Sequence, residues 1–401
     1  MSGQSIGRAC AVVVLVAALT PTGVAAYSVL AHEALVDAVW QDELAPLLKA
    51  RFPRASAADV RAARAYACGG SLIQDLGYYP FGSRLFSNLV HYVRSGDFVA
   101  ALVREARDVN EYAFALGALA HYASDNVGHP RAVNRVVPMM YPKIAQKHGA
   151  AALYAHAPSR HVMVEFAFDV VQVARGTFKA DVYQDLIGFQ VATPVLERAF
   201  RATYGLALDD VFGDVDLAIG TYRRAASEII PDVTRMAWRD KRDEILAANP
   251  NLAERDFVFR RMTRREYDEK YGTSYRKPGL FSRIVVAIFK VVPKFGPFKP
   301  LAFKPLTPEA ERMFLESFAE SRARYRQLLR SARDGRVDLG DTDLDTGVRP
   351  AGGVNPLADE TYEDLVKKLA KTKAAVPAEL RQAIQAHYTA AGRRRLHSRL
   401  Q

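Results

Sequence analysis

Between Asn110 and His129 the chain sets Phe114, Leu116, Ala118, Leu119 and Tyr122 into a nearly continuous apolar helical pattern, and plants His121 and Asp125 in its midst. Four residues is just over one helical turn, so imidazole and carboxylate project from one face. A helix apolar on nearly every side is buried, and a buried charge without a partner is costly. His161-Val-Met-Val-Glu165 repeats the device on a second apolar helix, and no basic residue falls within either pair. A fold built around these helices must supply a counter-charge, and a cation gripped by both His and acid does so. His129, four beyond Asp125, continues the same face; His32 and His91 fall on two further predicted helices, and Asp75 in a short connection.

The rest of the chain also reads as helical, and no run of alternating strands competes, so the expected fold class is all-α. Apolar residues from Leu30 to Val39 recur at helix spacing, with Pro53 beyond the end. Ser56 and Asp59 have the spacing of a capping box. Gly128 and Pro130 are expected to stop the Asn110 helix. Ser159 and Thr193-Pro194 are start signals, and Asp214 to about Leu246 reads as one or two long helices. Thr307-Pro308 opens a helix to about Arg333. Residues 335–356, rich in Gly and Asp, look like a long loop, with two short helices closing the chain.

The N-terminus has the layout of a signal peptide: Arg8 is the one charge in the first 26 residues, and an apolar run from Ala11 to Leu19 follows it. That run is too short to span a bilayer. Val24-Ala25-Ala26 offers a cleavage site, so residues 1–26 are expected to be removed and the chain exported, periplasmic or extracellular. Cys68 is then the one cysteine left, and no internal disulfide can staple the fold.

Charge is unevenly spread. Residues 27–235 hold 21 Lys and Arg against 22 Asp and Glu, whereas 236–401 hold 33 against 22. Seven of the nine histidines lie in the first stretch. We read two units, a His-rich catalytic domain over 27–235 and a basic helical C-terminal extension over 236–401. Within the extension, Arg276 to Lys304 interleaves cations with Ile284, Val285, Phe289, Phe295 and Phe303. It reads equally as a segment lying on an anionic membrane and as a core helix with Pro-broken loops. Nucleic acid suits the charge less well, because no recognised binding motif accompanies it.

The ordered set Tyr27-Ser-Val-Leu-Ala-His32, Asp75, Asn88-Leu-Val-His91, Ala118-Leu-Ala-His121-Tyr-Ala-Ser-Asp125, His129-Pro130 and His161-Val-Met-Val-Glu165 resembles the bacterial zinc-dependent phospholipases C, with the three-zinc single-strand-specific nucleases as more distant relatives. The resemblance implies two or three zinc ions. One would be held by Asp75, His91, His121 and Asp125, and a second by His129, His161 and Glu165. A third would take the main-chain amine and carbonyl of Tyr27 with His32 and Asp125. The interval between Asp125 and His129 is shorter than is usual in the family, and Tyr27 stands where a Trp is usual, although main-chain ligation tolerates that change. Such a cluster suits phosphodiester cleavage, because neighbouring zincs activate water near neutral pH and stabilise the charge of the transition state.

The resemblance therefore implies a secreted phosphodiesterase acting on phospholipids. The alternatives are a secreted nuclease and a non-catalytic, zinc-stabilised binding protein. Asp75 is the candidate general base, or else a plain ligand or loop cap. Tyr78, Tyr79 and Phe81 line a cleft or belong to the core, and His148 and His156 match no ligand position.

Other signatures fall short. His32-Glu33 lacks the second His of a zinc protease, because Val36 stands in its place, and no Gly-x-Ser-x-Gly elbow occurs. Asp341, Asp343 and Asp345 alternate in the late loop without the following carboxylate of a calcium site, so a solvated turn is expected.

Overall fold

The computed structural model describes residues 29–174, 190–225, 230–248, 303–334, 337–373 and 375–400. Among these the regular structure is helical, and the one β feature is an isolated antiparallel bridge between Asp343 and Val348. Tyr27, the leader and nearly all of the basic segment lie outside the described residues. Its last two positions are described: Phe303 is buried, and the Lys304 ammonium donates to the Met140 carbonyl at 3.1 Å. No described helix is long and apolar enough to cross a membrane.

The molecule is organised around α5 (Val109–Gly128), whose residues from Glu111 to Asp125 are all buried. Asp108 starts it by accepting the N–H groups of Asn110 and Glu111, two of the donors a helix N-terminus leaves free. α2 (Ala57–Gly70) lies along it, opened by the expected Ser56–Asp59 capping box. The two helices approach so closely that a Cβ on Gly117 would stand 2.0 Å from the Ala67 carbonyl oxygen, and one on Gly70 would stand 1.9 Å from that of Phe114. Only glycine fits at either crossing point. On its other side α5 meets α10 (Pro308–Arg333), capped by Thr307 as its sequence suggests, and the buried Tyr325 hydroxyl donates to the Leu116 carbonyl at 2.8 Å.

Three more helices complete the frame of the site. α1 (Val29–Val39) is buried along most of its length, with its Leu30 N–H held by the Asp169 carboxylate at 3.0 Å. α3 (Arg84–Tyr92) follows a 3₁₀ turn at Ile73–Tyr78. α7 (Pro158–Ala174) begins one residue before Ser159, which lies inside the first turn and not at the cap. Phe168 of α7 stacks on Phe314 of α10 at 4.5 Å, and fully burying such side chains contributes about 1.5–3 kcal/mol each.

Pro130 does not stop the central helix. The chain passes through a π turn at His129–Val133 and runs on as α6 (Asn134–Met140). The wider turn takes Pro130 near its start, where a missing N–H costs little, and the His129 N–H still bonds the Asp125 carbonyl. The chain closes with α11 (Pro356–Thr372) and α12 (Ala378–Leu400), both longer than the two short helices expected.

Candidate metal centre

Five of the residues singled out from the sequence meet at α5. His121 Nε2 lies 3.0 Å from Asp125 Oδ2, as the four-residue spacing requires. The last turn of α3 brings His91 Nε2 to 3.6 Å from the same oxygen, and the 3₁₀ turn brings Asp75 Oδ1 to 3.5 Å from His91 Nε2. From α1, His32 Nε2 reaches to 3.6 Å from Asp125 Oδ1, with its ring stacked 4.3 Å from that of His121. His32, His121 and Asp125 form one triplet of donor atoms within 4.8 Å of one another, and Asp75, His91 and His121 form another.

The outward-facing nitrogens define what the inward-facing ones are. His91 Nδ1 is 2.7 Å from the Ser87 carbonyl and His121 Nδ1 is 2.9 Å from that of Ser71. A carbonyl only accepts, so both Nδ1 atoms carry hydrogen. Ser124 Oγ donates to the His121 carbonyl and so accepts from His32 Nδ1 at 2.9 Å. In the neutral rings of His91 and His121 each Nε2 is then a lone pair pointing at carboxylates and at the other, the two only 3.3 Å apart. Outer hydrogen bonds of this kind fix the tautomer of metal-binding histidines. A convergence of this kind is suited to a cation at its centre.

Charge tells the same story. Among the described residues the ion partners of Asp75, Asp125 and Asp345 are imidazoles. Burial alone would lower His121, but Asp125 and Asp75 outweigh it and raise the ring to about 9. Burial alone would raise Asp125, and the imidazoles of His121, His91 and His32 instead hold it well below the usual carboxylate range. Burial and the neighbouring Asp125 push Asp75 well up. Metal-free, the centre solves its electrostatics with a proton on His121.

Beside this centre lie His129, His161 and Glu165, although among the described residues they form no triplet of donor atoms as close as the two above. With the helix continuing through the π turn, His129 stays on the face of Asp125 and is buried. Its ring centroid lies 6.4 Å from that of His161, whose Nδ1 is 3.1 Å from the Ala157 carbonyl. Burial lowers His129 to about 3 and His161 to about 4, so both rings are neutral. Glu165, one turn along α7, is buried, and Oε1 has no hydrogen-bond partner. Burial, with Asp125, Asp75 and Asp345 nearby, pushes it well above its ordinary range.

One member of this group is missed by the sequence reading. Asp345 is 4% exposed, not solvated, and its Oδ1 lies 3.3 Å from His129 Nδ1. Burial and Asp343 raise it to about 8. The alternation of Asp residues builds a turn: Asp343 Oδ1 accepts the N–H groups of Asp345 and Thr346. The loop is tied to the site helices, with Leu344 N–H bonded to the His91 carbonyl at 3.0 Å and Asn134 Nδ2 to the Asp345 carbonyl at 2.7 Å. Nothing in the local sequence marks it as buried.

His148 and His156 stack on each other at 4.1 Å, half-buried and exposed respectively. Tyr78 is buried with its ring 5.9 Å from that of His91, so it belongs to the wall of the site, while Tyr79 packs edge-on against Tyr222. The family model described as zinc dependent phospholipase C matches residues 31–213, a span that holds every proposed ligand except Tyr27 and ends well before Asp345. No curated protein and no solved structure matches the chain.

Proposed function

Residues 31–213 belong to the zinc-dependent phospholipase C family, and on that premise we propose that the chain is an exported phosphodiesterase that hydrolyses phospholipids with two or three zinc ions. The observation that carries this reading is the convergence of buried imidazole and carboxylate groups from α1, the 3₁₀ turn, α3 and α5, whose ion partners among the described residues are one another and not Lys or Arg. The donor set fits zinc, which takes nitrogen and oxygen ligands in groups of four or, at catalytic sites, fewer.

Asp75, His91, His121 and Asp125 would hold one ion, and His129, His161 and Glu165 a second. Asp125 Oδ1 faces His32, leaving that pair to hold a third together with the main-chain amine and carbonyl of Tyr27. Zinc so placed supplies Lewis acidity, which lowers the pKa of water and stabilises charge on the phosphoryl oxygens.

The chain's own residues do the rest. The Ser71, Ser87 and Ala157 carbonyls and the Ser124 hydroxyl lock four rings with Nε2 inward. Asp75 Oδ1 has no hydrogen-bond partner, which leaves it able to take a proton from attacking water. Tyr78 and Tyr154 form a small apolar wall over the His91 and His161 rings, which excludes bulk water and strengthens each electrostatic contact.

The test is hydrolysis of phosphatidylcholine micelles, single-stranded DNA and a chromogenic phosphodiester, each before and after chelation and zinc return. Zinc-dependent release of phosphocholine is the expected result. Cleavage of DNA alone makes the protein a nuclease, and zinc binding with no turnover on any of the three makes it a binding protein.

A further inference from the structure

We infer that Asp345, from the loop between α10 and α11, is a ligand of the second zinc centre alongside His129, His161 and Glu165. The inference rests on the zinc reading above and adds to it a residue far outside the matched span.

The site is built to present one oxygen. The backbone N–H of Tyr154 donates to Asp345 Oδ2 at 2.9 Å, which fixes the carboxylate and turns the other oxygen toward His129. Asp343 steadies the turn through the Asp345 N–H, and Asn355 Nδ2 in turn donates to Asp343 Oδ2 at 2.9 Å. Asn134 Nδ2 holds the Asp345 carbonyl. Every other polar group of the residue is spoken for, yet Oδ1 has no hydrogen-bond partner. Both ring nitrogens of His129, 1% exposed, and Oε1 of Glu165 also lack one.

Asn134 sharpens the point. Its Nδ2 is committed to a carbonyl, so the atom 3.0 Å from His161 Nε2 is its carbonyl oxygen. His161 Nδ1 is committed to the Ala157 carbonyl, so His161 Nε2 in the neutral ring is a lone pair as well. His161 Nε2 and the Asn134 carbonyl oxygen thus face one another as two acceptors, Asp345 Oδ1 lies against the His129 ring, and an additional carboxylate gives this group the fourth protein donor that His129, His161 and Glu165 alone do not provide.

The experiment compares wild type, Asp345→Asn, Asp345→Glu and Asp345→Gln after loading with zinc and desalting. Zinc per chain is measured by elemental analysis, the affinity of the weakest ion by chelator competition, and the visible spectrum after cobalt exchange. Asn keeps an acceptor for the Tyr154 N–H, so a purely structural Asp345 predicts unchanged zinc and an unchanged cobalt spectrum. As a ligand, its replacement by Asn should weaken one ion by about 10-fold to 100-fold and alter the cobalt bands. Should Asn disturb folding, Glu and Gln differ in charge but hardly in size, and only Glu should retain the full complement. Equal zinc in all four proteins overturns the assignment while leaving the zinc reading intact. A wild type that binds no zinc overturns both.

Discussion

His91 and His121 point their Nε2 atoms at each other across 3.3 Å while each spends its N–H on a main-chain carbonyl. Metal-free, the pair tolerates this by holding an extra proton on His121, which titrates at about 9. That ring lies above its unfolded value near 6.5, so it stabilises the metal-free fold fully below about pH 6.5, and the contribution disappears as pH rises through about 9. Asp345, raised to about 8, acts in the same sense. Zinc replaces those protons. The melting temperature of chelated protein should therefore fall from pH 6 to pH 9 relative to zinc-loaded protein, by about 5 °C or more, as read by scanning fluorimetry. A gap independent of pH would show that zinc displaces no proton.

Asp125 faces three imidazoles, at 3.0, 3.6 and 3.6 Å, and both of its oxygens are engaged. Glu165 serves one group. Asp125→Asn should consequently lose more than one zinc per chain, and Glu165→Gln at most one, by elemental analysis of desalted protein. Equal losses would mean that Asp125 bridges nothing.

Ser124 offers a gentler probe, because its hydroxyl fixes the His32 ring without facing the metal side. Ser124→Ala removes that hydrogen bond from Nδ1 of the ring. The expected outcome is zinc affinity reduced about 10-fold for one ion with the fold retained, and chelator titration against circular dichroism reads both. Unaltered affinity would leave the hydroxyl no orienting role.

How much of this was legible in advance follows the range of the forces involved. The caps at Ser56, Asp214 and Thr307 depend on residues three positions away and were readable. So was the meeting of His121 with Asp125, which helix geometry alone dictates. The π turn was not, because Pro130 ends most helices and the adjustment that spares this one is a property of the continuing ladder. Asp345 was invisible for a different reason: its burial is decided by Asn134, Tyr154 and Asn355, and only Asn355 lies near it in sequence.

Gly117 tests the frame that positions the site. A methyl group there meets the Ala67 carbonyl at 2.0 Å, so α2 and α5 must separate. Gly117→Ala should destabilise by about 1–3 kcal/mol in chemical denaturation, and zinc affinity should fall with it because Ser71, just beyond α2, orients His121. Wild-type stability would show that the helices can part freely.

The expected third ion depends on the free amine of Tyr27, five residues before His32. An α-amino group near pKa 8 yields its proton to a metal, whereas an amide does not. Protein beginning at Tyr27 should bind one zinc more than protein carrying a single Met ahead of it, and turn over faster. Identical zinc and turnover would remove Tyr27 from the ligand set.

The loop that bonds the His91 carbonyl through Leu344 is made late in synthesis, after every helix that carries a histidine of the cluster. An emerging chain can bring the helices from Val29 to Ala174 into place and still leave the wall beside His91 and Asn134 unbuilt until residues 337–355 have left the ribosome. The centre is thus completed by a segment made later than any of its helices. A chain cut short by translation stops or proteolysis before residue 337 would carry every histidine of the cluster and yet lack Asp345 and the bond that Leu344 makes to His91, a half-made site.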